Sequence, residues 1–212
     1  MKPRPSAILL PLASALGLFA LAGCNLLPPL QADATHYYVL AGPALTEPGT
    51  LPGAGALRLG LKAVEVEPYL RKGSLVVRTG DNEVTFLDQA RWAEPVEQEI
   101  VAALRQRLLA APGVGRVFVT PFPFEQPRDF DVSVQVLRCE GVREGGGRAV
   151  ARFAAIVEVT TTGANAQVVA RKSFVAPDAA WDGKEPGRLA ELLGQAVGAL
   201  SREVVAALPE KK

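Results

Sequence analysis

Only two cysteines and one histidine occur among the 212 residues, and both scarcities exclude chemistry. Metal centres made of thiolates and imidazoles need several such ligands at short spacing, whereas His36 has only Asp33 as a carboxylate close by in the chain. No metal site is expected, and no Ser/His/Asp or Cys/His catalytic set is evident. An excess of one charge is also missing. The 23 Lys plus Arg face 22 Asp plus Glu with no long block of either sign, which argues against a general nucleic-acid binder. Glycines cluster only at Gly145, Gly146 and Gly147, where a strand-like run follows instead of a helix start with Lys-Ser/Thr. That triplet is a turn, not a phosphate loop. There is no internal repeat.

One apolar run stands out, Ile8 to Ala22, after the positive charges of Lys2 and Arg4. It falls short of the roughly 20 apolar residues of a membrane span, is interrupted by Pro11 and Gly17, and is followed by Asn25 and Pro28-Pro29. This is the layout of a secretory signal, residues 1–23, removed on export. Leu21-Ala22-Gly23-Cys24 resembles the bacterial lipobox, which implies covalent diacylglycerol and an N-acyl lipid on Cys24; the alternative is an ordinary secretory peptide. Two or more acyl chains hold a protein stably on a membrane where one does not. By resemblance to enterobacterial lipoproteins, Asn25 in place of an Asp implies the periplasmic face of the outer membrane. Residues 24–35 then form a lipidated tether, and 36–212 a periplasmic domain. With Cys24 lipidated, Cys139 is the only thiol left, so no intrachain disulfide is expected, and its strand-like surroundings suggest a small buried residue.

Within the domain, His36 to Leu40 has the aromatic and β-branched content of a strand, and the Pro- and Gly-rich Ala41 to Ala56 reads as a loop. From Leu57 the apolar residues alternate, and their phase passes near Ala63 to Val64 and Val66, as a bulge or twist in a strand would produce. Ser74 to Leu87 is a hairpin around Gly80-Asp81-Asn82. A helix opens at Pro95, with Val96, Ile100, Leu104 and Leu108 on one stripe, and stops at Pro112-Gly113. Strands follow at Arg116 to Thr120, Asp131 to Val136, Ala149 to Thr161 and Gln167 to Val175, the last three as a meander. A final helix runs from about Gly187 to Leu208. Its internal Gly194 and Gly198 each cost about 1 kcal/mol against Ala, which suggests close packing rather than a membrane dimer seam. The fold class is therefore α/β with α+β character: one domain with a mixed, largely antiparallel sheet packed by two main helices.

Few residues suggest a site. The pairs Glu65/Glu67 and Asp129/Asp131 each share a strand face, which is what a solvated face looks like as well as what acid/base work would need. Trp92 and Trp181 precede helices and suit docking them on the sheet or lining a groove. Pro68-Tyr69-Leu70-Arg71-Lys72-Gly73 looks exposed, so Tyr69 and Leu70 are candidate contacts for a partner, with ordinary loop anchoring as the alternative.

The order of these motifs carries a resemblance. A lipobox, Tyr37-Tyr38-x-Leu40, a strand ending Val66-Glu67-Pro68-Tyr69-Leu70, a hairpin, and Arg91-Trp92-Ala93-Glu94-Pro95-Val96 opening a helix are similar to the ABC-type transport auxiliary lipoproteins, which include the paraquat-inducible C-type lipoproteins. The resemblance implies a periplasmic domain with a mixed sheet, tied to the outer membrane. It also implies, as partners, a mammalian-cell-entry-type substrate-binding protein with an ABC permease and ATPase that move phospholipid or other hydrophobic molecules. With no Walker motif, this chain would be a non-catalytic accessory docking the conduit, and a homo-oligomer would suit a ring-shaped one. Tyr69, Leu70 and Trp92 are its candidate partner contacts. The rival readings are a stand-alone lipid carrier holding an acyl chain between sheet and helix, and a structural envelope lipoprotein.

Overall fold

The computed structural model describes residues 33–40 and 56–209, nearly all of them in the unit Thr35–Lys212. Its sheet is organised by the hairpin that the glycine triplet closes. Strand β7, Phe130–Arg143, runs antiparallel to β8, Ala149–Thr161, over almost the full length of both. Val132, Val134 and Val136 face the same way as their partners Val159, Val157 and Ala155, so a period-two pattern on each strand makes one apolar face. The ladder slips between Val136 and Arg138, where Leu137 is the extra residue; beyond this bulge Cys139 and its partner Phe153 are again buried.

Three short strands lie parallel to β7: β2, Leu57–Leu61, against its start, β3, Glu65–Val66, against its middle, and β4, Ser74–Gly80, near its end. Leu61 pairs with Val132 and Glu65 with Gln135, so β2 and β3 together use one residue more than β7 over the same stretch. The expected phase change near Ala63 is this bulge. The hairpin partner of β4 is β5, Glu83–Trp92, which extends to Trp92. It carries the parallel β1, His36–Tyr38, on its other side. Strand β6, Val114–Val119, pairs with β2, while β9, Val168–Val175, and β10, Ala179–Trp181, both pair with β8. The result is one mixed sheet of ten strands among the described residues, its longest ladders antiparallel.

Two helices cover the apolar face. Helix α1, Val96–Leu109, begins after Pro95, whose φ of −50° suits a helix entry, and buries Ile100, Ala103, Leu104 and Leu108. Helix α2, Pro186–Ala207, packs on β7, β8 and α1 through Leu189, Leu193, Val197, Leu200 and Val204. The two internal glycines of α2 are contact points. A Cβ on Gly194 would lie 2.5 Å from the carbonyl oxygen of Leu40, and one on Gly198 would collide with the Arg107 guanidinium, which donates to Gly194 O at 3.1 Å. The core-packing expectation for these glycines holds, because neither the end of the β1 segment nor Arg107 could approach a helix with side chains there.

Candidate functional site

Alternation along β7 that buries valines on one face sends polar residues to the other, away from the helices. Past the Leu137 bulge this opposite face carries Arg138 and Glu140, partners of Ala154 and Arg152 on β8. The Glu140 carboxylate is fully buried. It accepts hydrogen bonds from Arg78 Nε at 2.7 Å and Nη2 at 3.3 Å, from Arg138 Nη1 at 3.3 Å and from the Tyr69 hydroxyl at 2.8 Å. A carboxylate taken out of water is tolerable only when charge and lone pairs are both met, and two guanidiniums and a phenol do so. The same contacts alter the donors. Burial, then the hydrogen bond to the negative Glu140, push the Tyr69 phenol up to about 12, and the Glu140 carboxylate raises the Arg78 guanidinium above its ordinary value.

Further ion pairs lie on either side along the strand. Near the start of β7, Arg58 pairs with Asp129 at 3.2 Å and Arg128 with Asp131 at 2.7 Å, while the Arg128 guanidinium lies 3.9 Å from the Phe122 ring centre. Near its end, Arg152 holds Asp178 at 2.6 Å and Glu144 at 3.1 Å, which keeps the Asp178 carboxyl below its usual range. Between these groups a shallow cleft of about 140 Å³ is lined by Ala63, Glu65, Ser133, Gln135, Ile156 and Arg171. Asp129 and Asp131 are each committed to a different arginine, and Glu65 lines the cleft, so neither candidate pair forms a shared acid/base site. Cys139 is buried, with its thiol pushed up to about 12 by burial and by the neighbouring Glu140 charge. Among the described residues no group of three or more His, Cys, Asp or Glu could hold a metal ion, and no helix is long and apolar enough to cross a membrane.

The residues expected to matter are placed unevenly. Cys24 lies outside the described residues. Tyr69 sits in a short 3-10 turn, Pro68–Lys72, with its ring half-buried and its hydroxyl on Glu140. Leu70 and Trp92 are 2 % and 5 % exposed and belong to the core, which corrects their reading as partner contacts: the turn folds Leu70 under β4, and Trp92 ends β5 facing inward. Trp181 is likewise buried, its indole N–H donating to Glu185 O at 2.9 Å at the start of α2. Two buried carboxylates escaped the reading of the sequence, Glu140 and Glu99; the latter, on α1, accepts from the Leu40 amide at 3.0 Å and holds the chain after β1. The available signal for Glu140 was a lone acid in the run Val136-Leu137-Arg138-Cys139-Glu140-Gly141-Val142, flanked by residues of a buried strand.

Comparison with known proteins follows the same outline. A family model described as ABC-type transport auxiliary lipoprotein component matches residues 38–205. No curated protein matches the sequence. Among solved structures, protein XCC0632 from Xanthomonas campestris is similar over 81 % of this chain and 90 % of its own, at 16 % identity and a TM-score of 0.63. An uncharacterized protein is similar over 71 % of this chain and 90 % of its own, at 19 % identity and a TM-score of 0.57. These likenesses concern the fold. A more distant one is the PelC dodecamer from Paraburkholderia phytofirmans, with 14 % identity, 74 % of this chain, 91 % of that one and a TM-score of 0.40.

Proposed function

The chain belongs to the family of ABC-type transport auxiliary lipoprotein components, and from that membership we propose that it is a non-catalytic accessory of a transporter in the bacterial envelope. The observation that carries this reading is the extent of the match, residues 38–205, which spans the folded domain from β1 into α2. Lipid on Cys24 anchors the domain to the periplasmic face of the outer membrane; the lipobox Leu21-Ala22-Gly23-Cys24 and the Asn25 that follows support this placement. The partners are a mammalian-cell-entry-type substrate-binding protein with its ABC permease and ATPase, and the cargo is phospholipid or another hydrophobic molecule. The accessory docks the conduit to the membrane and leaves energy and conduction to those partners.

The filling of the domain favours an accessory over a carrier. Leu59, Leu61, Ile100, Leu104, Phe153, Leu193 and Val197, all at most 1 % exposed, occupy the layer between sheet and helices where a carried acyl chain would have to lie. The test is affinity purification of the full-length protein from gently solubilised envelopes, with identification of what co-purifies. A mammalian-cell-entry-type protein recovered with its permease is the expected result. Repeated isolation without them at intact yield, or stoichiometric extractable lipid in the purified domain, would overturn the proposal.

A further inference from the structure

The tether delivers the chain to one corner of the sheet, and that corner has an unusual surface. Strand β1 begins 12 residues after Cys24, a distance that an extended chain covers in at most about 40 Å. Tyr38 of β1 turns toward Gly187 of α2, so its strand neighbour Tyr37 points to the other face, where it is 63 % exposed, while Val39, just past the strand, lines a cleft with Tyr38 and α2. Tyr37 pairs with Arg91 of β5, and the Arg91 guanidinium reaches the carbonyl of Lys72 at 3.4 Å. Arg71, Lys72 and Arg91 are all exposed, and none forms an ion pair among the described residues, although Arg58, Arg78, Arg128, Arg138 and Arg152 are each matched with a carboxylate. The Lys72 ammonium lies 5.0 Å from the centre of the Phe86 ring, a cation–π contact at an exposed position.

We infer that this corner, Tyr37 with Arg71, Lys72 and Arg91, is a membrane-facing surface that lies against anionic phospholipid and sets the orientation of the anchored domain. The inference rests on the proposed lipidation of Cys24, which confines the corner near the bilayer. Three cations without a carboxylate partner among the described residues are complementary to an anionic lipid surface, and an exposed tyrosine suits the boundary between headgroups and acyl chains. Confinement by a short tether raises the effective concentration of the surface at the membrane, so a patch too weak to bind from solution is sufficient to orient the domain. The face carrying Glu140 and the cleft by Gln135 is then held in a fixed attitude to the bilayer.

The test uses the mature lipidated protein reconstituted in vesicles of phosphatidylcholine, with and without phosphatidylglycerol. Because Cys139 is buried, a polarity-sensitive thiol probe can be placed on Tyr37→Cys, with Val168→Cys on β9 as the control at another exposed site. The expected result is a shift to shorter emission wavelength at residue 37 alone, dependent on phosphatidylglycerol and abolished in the triple variant R71E/K72E/R91E. High salt should abolish the shift in the protein without the charge reversals, so a misfolded triple variant would not leave the question open. Equal emission at both sites, or a shift that persists without anionic lipid, would overturn the inference. Flotation of the same vesicles reports anchoring separately, so a missing anchor is distinguished from an anchored domain that does not lie on this corner.

Discussion

Glu140 gathers four hydrogen bonds from three side chains onto one buried carboxylate. Removing one partner of a buried ion pair leaves the other charge uncompensated, and such changes cost about 3–5 kcal/mol. Glu140→Ala should therefore lower unfolding free energy by about 3 kcal/mol in urea titrations, the low end of that range because Arg78 keeps some access to solvent. Tyr69 gives the network a pH signature. The folded phenol keeps its proton to about 12, whereas the unfolded one releases it near 10.0, so in this window the unfolded chain holds fewer protons and stability falls as pH rises. Cys139, raised from 9.0 to about 12, contributes with the same sign. Melting temperatures followed across this alkaline range should decline less steeply in Tyr69→Phe and in Cys139→Ala than in the parent. An unchanged slope in the Tyr69→Phe protein would mean that burial and the Glu140 contact do not raise the phenol in the folded protein.

Helix α2 is instructive as an element because its amphipathic stripe and its two glycines serve different ends. Leu189, Leu193, Val197, Leu200 and Val204 supply apolar burial, while Gly194 and Gly198 supply proximity to Leu40 and Arg107. Alanine gains about 1 kcal/mol of helix propensity at either position. At Gly194 the added methyl meets backbone, which can withdraw only by moving the segment after β1, and overpacking of that kind costs about 1–3 kcal/mol. At Gly198 it meets the mobile end of an arginine. Chemical denaturation should thus show Gly194→Ala destabilised by about 1–2 kcal/mol and Gly198→Ala within about 1 kcal/mol of the parent. The 3-10 turn Pro68–Lys72 shows the limit of local reading at this scale: its sequence looks like an exposed loop, but Leu70 is core because the turn packs against β4 and α1.

At the scale of the whole molecule, attachment and fold are separable. If Cys24 carries the proposed acyl chains, Cys24→Ala removes them without touching the described domain, so the variant should leave the membrane fraction almost entirely while keeping the parent's melting temperature, as cell fractionation and thermal melts would record. Retention on the membrane would refute lipid anchoring at this residue. The signals available in sequence are local ones. Apolar alternation foretold the β7, β8 and β9 meander, the four-residue spacing foretold both helices, and the phase change near Ala63 marked the bulge between β2 and β3, because each depends on neighbours within a few residues. Recognition of the family depended likewise on short motifs in order, from Tyr37-Tyr38 to Trp92-Ala93-Glu94-Pro95. Pairings across long separations had no such signal. That β2, β3 and β4 all lie parallel to β7, that Arg78 reaches Glu140 across 62 positions, and that Arg91 of β5 stands beside Tyr37 became evident only once the chain had closed on itself. Periodicity declares which face of an element is buried, whereas which charges meet is decided by the packing of elements that are distant in sequence.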